Sequence, residues 1–329
     1  MKIIRGINKI RKFKKPVAAL GVFDGVHLGH RNILKAAVRK ACSINGTSVA
    51  LTFWPHPQKQ ESLYSLEHRL RLIQELGIDV CVVINFNKKF AKTTAEDFIK
   101  NVLVRKLGAH YIYVGKNFRF GKDAKGDCKT LEEFSKRYNF KLKVFNVIKI
   151  NPVRNTTQIK SKAVVSNGVN KKAISSTYIR KLIKEGRLEA AEKLLMRRVG
   201  ILGTVVKGNF LGRRLGFPTA NINPHHEVIP PKGVYAVRII FDSKKLDGIC
   251  YIGTKPTLKT KRTMHIEVHI FNFNKNIYGK YLEIQFIKKI RDEIKFDSIP
   301  ALAAQIKEDI KTLRTCISRH VSIPQYMPF

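Results

Sequence analysis

Cysteine is scarce in this chain, and its placement argues against a disulfide framework. The 329 residues contain five cysteines, an odd number, at Cys42, Cys81, Cys128, Cys250 and Cys316. They are widely separated, and no two have the CxxC spacing of a redox or zinc motif. Scattered thiols of this kind are typical of proteins in a reducing compartment. We therefore expect free thiols and a cytoplasmic location.

Long apolar runs are also absent. No hydrophobic stretch approaches the roughly 20 residues that a membrane-spanning helix requires. The basic N-terminus is followed by a short apolar stretch, Val17 to Leu20, which leads directly into a glycine-rich motif. We interpret this stretch as the first strand of the fold and expect no membrane partner.

Acidic residues are few relative to basic ones. The chain has 63 Lys and Arg against 24 Asp and Glu, which gives a formal net charge of +39. Such an excess favours anionic partners: nucleotides, nucleic acid or acidic lipid. The charge is spread along the chain, so a low-complexity nucleic-acid arm is not indicated. A simpler alternative stays open, in which the lysines only cover solvated faces.

Strand-like and helix-like patterns alternate in the first half of the chain. After Val17–Leu20, apolar runs typical of buried strands occur at Ser48–Trp54, Asp79–Phe86, Tyr111–Val114 and Lys141–Ile148. Apolar residues at helical spacing occur at Leu66, Leu70, Ile73 and Leu76. A second helical pattern runs from Thr94 to Leu107 and is preceded by a capping box at Thr93-x-x-Glu96. This alternation predicts a parallel sheet with helices on both faces. Ligands of such sheets bind at the carboxyl ends of the strands.

The pattern changes in the second half. Residues 151–173 are polar and basic and are interpreted as an exposed loop, and two helices, Ser176–Lys184 and Leu188–Leu195, follow. Short β-type runs then occur at Gly233–Phe241, Ile249–Gly253, His265–Phe273 and Tyr281–Lys288. Their spacing predicts a small antiparallel β-barrel, closed by a helix from about Ser298 to Ile317. We place the domain boundary so that residues 1–187 and 188–329 form the two domains.

The stretch GVFDGVHLGH at residues 21–30 is the most informative motif. It lies where a strand ends, a glycine-rich turn follows and a helix begins at an HxGH tetrad. Helix N-termini offer unpaired N–H groups to anions, and Gly29, without a Cβ, allows a nucleotide to approach the backbone. His27 and His30 can donate hydrogen bonds to a phosphate. The alternatives are a plain helix cap with two surface histidines, or a metal site for which no third ligand is evident.

Three further segments are expected on the same edge of the sheet. They are TFWPHP at 52–57, VGKNFRFGKDAKGD at 114–127 and ISSTYIR at 174–180. The last offers hydroxyls and a guanidinium at a helix start, which suits a phosphate, although alone it is equally a plain serine cap. Four such segments at one edge favour a site for a nucleotide triphosphate.

The second half has its own candidate site. Residues 203–221 read GTVVKGNFLGRRLGFPTAN, a glycine-rich and basic stretch that can cradle a phosphate without being a Walker or Rossmann loop. Thr219 can place a hydroxyl on Mg²⁺ with support from Asn221. Glu267, on a β-type run, suits a general base. The alternative for Glu267 is an ordinary outward strand residue paired with a lysine.

Together these motifs make the chain resemble the bacterial bifunctional riboflavin kinase/FMN adenylyltransferase (FAD synthetase) family. The resemblance covers nearly the whole length and includes GVFDGVHLGH, TFWPHP, VGKNFRFG, ISSTYIR, GRRLGFPTAN, GVYAVRI, YIGTKPTL and IEVHIF. It implies an α/β fold: an N-terminal Rossmann-like nucleotidyltransferase domain and a C-terminal β-barrel kinase domain. It also implies that riboflavin, FMN and ATP are the substrates, with Mg²⁺.

In the kinase domain, the resemblance implies that ATP phosphorylates riboflavin to FMN. Glu267 matches the general base that takes the proton from the ribityl 5′-hydroxyl. Thr219 and Asn221 match the Mg²⁺ and ATP-phosphate positions, and Gly208 and Gly212 match the ATP loop. Phosphoryl transfer depends mostly on positioning and charge neutralisation. Arg291 matches an arginine near the flavin.

In the N-terminal domain, the resemblance implies that the AMP of a second ATP is joined to FMN, giving FAD and pyrophosphate. His27 and His30 match the histidines that stabilise the α-phosphate and the departing pyrophosphate. The ATP and phosphate contacts are expected at Gly21, Phe23, Asp24, Gly25, Gly29, Ser176, Thr177 and Arg180. The flavin contacts are expected at Asn117, Phe53 and Phe120, although core packing explains the two phenylalanines equally well.

Two other functions remain to be weighed. An adenylyltransferase for another nucleotide-like substrate fits HxGH and ISSTYIR but leaves the second domain unexplained. A basic nucleic-acid-binding protein fits the net charge and predicts binding that weakens steeply with salt. No known nucleic-acid module is present, however, and few aromatic residues interleave with the basic ones, so we expect no specific nucleic-acid partner.

Overall fold

The first half of the chain folds around a parallel sheet. In the computed structural model the strands are β1 (Lys2–Arg5), β2 (Val17–Leu20), β3 (Ser48–Trp54), β4 (Val80–Asn85), β5 (Tyr111–Gly115) and β6 (Lys141–Phe145), in the order β1-β4-β3-β2-β5-β6. All five strand pairings are parallel. The side chains of β2 are buried throughout, as expected for a parallel sheet covered on both faces.

Helices connect these strands. They are α1 (Leu28–Ser43), α2 (Leu66–Gln74), α3 (Lys88–Ala91), α4 (Ala95–Asp97), which continues as the wider π-helix Phe98–Lys106, and α5 (Cys128–Tyr138). The helix α1 packs against β2, β3 and β5. The π-helix contributes Phe98 and Leu103 to a core cluster with Leu20 and Leu51. The predicted parallel sheet is therefore confirmed.

Two details of the prediction for this half were wrong. The first strand is β1, not Val17–Leu20. Only one of its four residues, Ile4, is buried, so this edge strand has no apolar pattern to reveal it. The helix cap is Thr94 rather than Thr93: the Thr94 hydroxyl accepts a hydrogen bond from the Asp97 N–H at 3.0 Å and donates one to the Asp97 carboxylate at 2.8 Å.

The structure describes residues 1–57, 61–150, 172–208, 212, 215–255 and 263–320, without the side chains of residues 255, 263 and 314–320. Most of the predicted loop 151–173 lies outside this part of the chain. Its last two residues are not loop: Lys172–Ala173 (β8) pairs antiparallel with Lys149–Ile150 (β7). Of the predicted free thiols, those of Cys42, Cys81, Cys128 and Cys250 are free. The side chain of Cys316 lies outside the described part.

The second half forms a closed barrel of six antiparallel strands. They are β9 (Gly200–Val206), β10 (Ala220–Asn223), β11 (Gly233–Phe241), β12 (Lys244–Lys255), β13 (Thr263–Ile270) and β14 (Tyr281–Arg291), in the order β10-β13-β12-β11-β14-β9. Pairing of β9 with β10 closes the barrel. The helices α6 (Ser176–Lys184) and α7 (Leu188–Leu195) precede it, and α8 (Ile299–His320) follows it. Leu313 of α8 is fully buried against Val234 and Ala236.

The barrel was predicted, but β9 and β10 were not singled out as strands. Glycine weakens a strand pattern, and β9 contains Gly200 and Gly203. A Cβ on Gly203 would collide with Ile222 of β10, so the close approach of the two strands requires this glycine. The strand β10 has only four residues, which leaves little periodicity to detect.

The chain divides into two compact units, Met1–Ile179 and Arg180–Phe329. The helix α6 spans the point of division. The predicted boundary between residues 187 and 188 lies after this helix and stays a prediction.

Glu192 of α7 gives the second unit a pH-dependent stability. Burial raises its pKa from 4.5 to about 7, although the Arg198 charge and the Val199 N–H oppose the shift. The folded unit thus holds this proton more tightly than the unfolded chain does. The resulting stabilisation is complete below about pH 4.5 and is lost as the pH rises through about 7.

We therefore expect Glu192→Gln to stabilise the second unit at pH 8 but not at acid pH. One pKa unit corresponds to about 1.4 kcal/mol, so the gain in unfolding free energy at pH 8 is up to about 3 kcal/mol. At pH 4.5 it falls below about 0.5 kcal/mol. Denaturant unfolding followed by circular dichroism measures both values. Glu308→Gln, at an exposed position of α8 in the same unit, is the control. An equal gain at both pH values would contradict the assignment.

Candidate active sites

A strained turn follows β2 at the carboxyl edge of the first unit's sheet. Residues Asp24–Val26 form a single 3-10 turn, and Phe23, Gly25 and Val26 have φ of 53°, 77° and 38°. Only glycine adopts such a conformation without strain, and a side chain on Gly25 would also collide with Leu63. Gly21 is similarly restricted, because a Cβ there would lie 2.9 Å from the Phe23 ring. The turn thereby fixes where α1 begins.

The two motif histidines occupy the start of α1, as predicted. His27 has extended backbone at the N-cap position, and Leu28 is the first helical residue. The imidazole rings of His27 and His30 stack with their centroids 3.7 Å apart, and the edge of the Phe23 ring meets His30 at 5.4 Å. A Cβ on Gly29 would lie 3.3 Å from the His27 ring, so this glycine also makes room for the imidazole.

A second helix N-terminus meets the same turn. The Ser176 hydroxyl, in the first turn of α6, donates a hydrogen bond to the Asp24 carbonyl at 2.8 Å. The Ser175 hydroxyl accepts from the Tyr178 N–H at 3.2 Å. The structure therefore brings ISSTYIR to the HxGH turn across about 150 residues of sequence, as the prediction required. Thr177 lies in the same first turn, and Arg180 lies one turn later in α6.

The Asp24 carboxylate lies inside the protein rather than at the edge of the site. Its side chain is only 2% exposed, and its oxygens accept hydrogen bonds from the Leu63 and Tyr64 N–H groups. The Arg69 guanidinium lies 3.8 Å from it. The geometry gives Asp24 a scaffolding role beneath the turn, and its predicted contact with ATP stays a prediction. Arg69 was missed, although an arginine between Leu66 and Leu70 on the apolar face of α2 is an unusual choice.

The predicted flavin contacts in the first unit differ in their exposure to solvent. Phe53 and Phe120 are each 6% exposed and belong to the core, where Phe98 lies 6.4 Å from the first and 5.6 Å from the second. Burial favours the core-packing alternative for both. Asn117 is exposed just beyond the end of β5, at the edge where β2 and β3 also end.

In the barrel, three predicted residues meet on neighbouring strands. Asn221 of β10 lies directly opposite Glu267 of β13. The Thr219 hydroxyl donates a hydrogen bond to Glu267 Oε2 at 3.0 Å. Glu267 is thus oriented from the segment PTAN, as a shared phosphate site requires. The charge of Glu267 also adds to burial in raising the pKa of the Cys250 thiol.

The predicted phosphate loop approaches this cluster. A Cβ on Gly208 would collide with the Asn221 amide, and one on Gly212 would lie 2.9 Å from Thr219 Oγ1. Both glycines are therefore needed for the loop ends to come this close. Residues 209–211 and 213–214, which include the predicted basic pair, lie outside the described residues.

His265 was not anticipated. It lies two residues before Glu267, on the same face of β13, and its Nε2 is 2.5 Å from Glu267 Oε1. The carboxylate of Glu267 therefore has one oxygen paired with Thr219 and the other with His265. The signal was present in the sequence HIEVH, where residues at alternate positions share a face.

Arg291, a predicted flavin contact, has a firm internal partner. Its Nε and Nη2 donate to the Asp309 carboxylate of α8 at 2.8–3.0 Å, and its Nη1 donates to the Asp292 carbonyl. These contacts fasten α8 to the barrel. A flavin contact at Arg291 stays a prediction.

A cavity of about 520 Å³ opens beside the Thr219–Glu267 cluster. Its lining residues are Gly216, Phe217, His269, Phe271, Asn272, Lys307, Ile310 and Lys311. His269 Nδ1 lies 2.8 Å from the Pro218 carbonyl, next to Thr219. Aromatic walls with lysines at one side suit a planar, negatively charged ligand.

The donor set of the barrel site suits a hard cation. Asn221 Oδ1 is buried and accepts no hydrogen bond within the described part of the chain. Thr219 Oγ1 donates its own proton to Glu267, so its lone pairs remain available. Oxygen donors of this type are those that Mg²⁺ prefers. Among the described residues, no group of three His, Cys, Asp or Glu side chains is arranged to hold a metal.

Within the described ranges, every helix is too short or too polar to cross a membrane.

Two family models match successive parts of the chain. A family model described as FAD synthetase matches residues 9–163, and one described as riboflavin kinase matches residues 195–317. A crystal structure described as a macrolide-efflux protein from Streptococcus pneumoniae has a TM-score of 0.77 and 27% identity, covering 95% of this chain and 99% of that one. The efflux activity in its description has no counterpart in the two family models.

Curated relatives carry one common name, bifunctional riboflavin kinase/FMN adenylyltransferase. The protein of Buchnera aphidicola subsp. Schizaphis graminum is 39% identical over 95% of this chain and 98% of its own length. That of Escherichia coli is 35% identical over 95% and 97%, and that of Bacillus subtilis 34% over 90% and 90%.

The fold and its two sites define a two-unit, nucleotide-using transferase. The chain belongs to the bifunctional riboflavin kinase/FMN adenylyltransferase family. The resemblance seen in the sequence is thereby confirmed, and neither the other adenylyltransferase nor the nucleic-acid-binding alternative is favoured.

Proposed function

We propose that this bifunctional riboflavin kinase and FMN adenylyltransferase carries out one reaction in each unit. Adenylyl transfer is assigned to the HxGH turn of the first unit, and phosphorylation of riboflavin to the barrel. The single observation that supports the division most strongly is that each unit gathers its own motif residues: Ser176 with Asp24 at 2.8 Å in the first, and Thr219 with Glu267 at 3.0 Å in the second.

In the barrel, Glu267 acts as the general base. It takes the proton from the ribityl 5′-hydroxyl, whose oxygen attacks the γ-phosphorus of ATP, and ADP leaves. The Thr219 hydroxyl orients the carboxylate for this proton transfer. Gly208 and Gly212 allow the loop backbone to approach the phosphates. The remaining barrier is lowered by positioning and charge neutralisation.

Thr219 and Asn221 are the residues that would hold Mg²⁺ in the barrel. When bound, the ion would neutralise phosphate charge during the transfer. The Oδ1 of Asn221, which is buried and has no hydrogen-bond partner among the described residues, supports this assignment, because a buried acceptor is costly unless a partner or a ligand satisfies it.

In the first unit, an FMN phosphate oxygen attacks the α-phosphorus of ATP, and pyrophosphate leaves. His27 and His30 donate hydrogen bonds to the α-phosphate and to the departing pyrophosphate. The triphosphate is bound by the N–H groups at the start of α1 and at the start of α6. Gly21, Phe23, Gly25 and Gly29 provide further contacts beside the start of α1. Ser176 and Thr177 complete the anion site within the first unit, and a phosphate contact of Arg180, which follows them on α6, stays a prediction.

The remaining assignments concern the flavin and the location of the protein. Three residues are proposed to contact the flavin in the first unit: Asn117, Phe53 and Phe120. Asn117 is the most accessible of the three to a ligand, because it is exposed at the sheet edge whereas the two phenylalanines are buried. Arg291 is assigned to the flavin end of the barrel site. The thiols of Cys42, Cys81, Cys128 and Cys250, which are free in the described part of the chain, support a reducing compartment, and we assign the chain to the cytoplasm.

The proposal predicts that fragments 1–187 and 188–329 each fold and keep one reaction. The first retains α6 intact, and the second retains α7 and the whole barrel. Each is far longer than the roughly 40–60 residues at which a single core becomes marginal. Both fragments are expressed and assayed separately for FMN-to-FAD and riboflavin-to-FMN conversion. A folded first fragment that cannot adenylylate FMN would show that the site needs both halves.

A further inference from the structure

Arg69 joins the ends of two strands to the HxGH turn. This residue of α2 is fully buried. Its Nη1 donates to the Val22 carbonyl at 2.9 Å and to the Phe53 carbonyl at 3.3 Å. Its guanidinium also lies over the Trp54 ring, with Cζ 5.5 Å from the ring centroid. Arg69 therefore contacts two residues of the TFWPHP motif, Phe53 and Trp54.

The partner of Arg69, Asp24, extends this connection to both helix N-termini. The two side chains form a buried ion pair at 3.8 Å. The Asp24 carboxylate accepts from the Leu63 N–H at 2.9 Å, while its backbone carbonyl accepts from Ser176. The residue before it, Phe23, meets His30 edge-on at 5.4 Å. A displacement of residues 22–24 would consequently move His30 and the start of α6 together.

We propose that Arg69 is a positioning residue for adenylyl transfer. Arg69 sets the positions of His27 and His30 relative to Ser176, an inference that rests on the proposed function of the HxGH site. The guanidinium holds the turn after β2 against the end of β3, so that both catalytic histidines face the triphosphate at a fixed height above the sheet.

The chemistry of the pair supports positioning rather than stability alone. A buried ion pair is often no more stabilising than apolar residues of similar volume, because both charges lose their hydration. What apolar residues cannot supply is several directed hydrogen bonds. The planar fork of arginine reaches two carbonyls and one carboxylate on two segments, the turn of residues 22–24 and the end of β3. A lysine ammonium is instead a point charge on a flexible stem.

The test compares Arg69→Lys, Arg69→Met and the control Arg71→Met in the full chain. Arg71 is an exposed arginine of the same helix. We expect kcat for FMN adenylylation to fall about 10-fold in the lysine variant and on the order of 100-fold in the methionine variant, as for misplaced catalytic groups. KM for ATP and FMN should change little, and riboflavin phosphorylation by the same chains should be unchanged. Melting curves show whether the first unit is folded.

The outcomes separate this inference from the proposed site itself. If Arg69→Lys and Arg69→Met fold and adenylylate FMN with the kcat of the control, the inference is overturned. It is also overturned if only KM changes, or if neither variant folds, since the role is then binding or stability. His30→Ala tests the site independently: a normal rate in that variant removes the proposed site, whatever the Arg69 variants do.

Discussion

His30→Ala should stop FAD formation while FMN still accumulates from riboflavin. His30 lies in the first turn of α1, stacked on His27, where a donor can meet the triphosphate. Removing one donor that stabilises transition-state charge typically lowers the rate about 10²–10³-fold. The barrel site is left intact, so phosphorylation continues. Chromatographic separation of FMN and FAD after incubation with riboflavin, ATP and Mg²⁺ measures both steps in one sample.

His110→Ala is the matched control, because His110 is an exposed histidine of the same unit. This variant should produce FAD at the rate of the unaltered chain. FAD output near that rate from His30→Ala would remove His30 from the site and leave the HxGH tetrad as a helix start only.

Glu267→Gln should have the opposite effect. Glutamine keeps the shape and the contact with Thr219 but cannot accept the proton of the ribityl hydroxyl. General base catalysis typically contributes about 10²–10⁴-fold, so FMN formation from riboflavin should fall by this factor. FMN supplied directly should still be converted to FAD. Both rates are measured on the same preparation, so each serves as the folding control of the other.

A second glutamate of the barrel gives the matched control for this variant. Glu283 of β14 accepts a hydrogen bond from Gln285 at 2.8 Å, and Glu283→Gln should phosphorylate riboflavin normally. If Glu267→Gln also phosphorylates riboflavin normally, then Glu267 is an ordinary strand residue and the proposed base is wrong.

The sequence predicted best the features that depend on local pattern. The HxGH turn could be placed because a buried strand, glycines and an amphipathic helix follow each other within 30 residues. Ser176 was expected at the same edge of the sheet, and its hydrogen bond to the Asp24 carbonyl agrees with that expectation. Thr219 and Glu267 could be paired only through the resemblance, and the register of β10 with β13 explains why they meet.

What the sequence did not reveal depends on contacts between distant segments. Arg69 reads as one basic residue among many in a chain of charge +39, and only the packed structure shows it buried beside Asp24. The same holds for Arg291, whose partner Asp309 lies on α8. The strands β1 and β9 were not predicted, for a local reason. β1 is an exposed edge strand, and β9 contains two glycines.

One measurement tests the central claim most directly: a time course of the purified full-length chain with riboflavin, ATP and Mg²⁺, in which riboflavin, FMN, FAD and pyrophosphate are quantified together. The account predicts that FMN appears first and is then consumed as FAD rises, with one pyrophosphate released for each FAD. Riboflavin that stays unchanged, or FMN that accumulates without FAD or pyrophosphate, would contradict it.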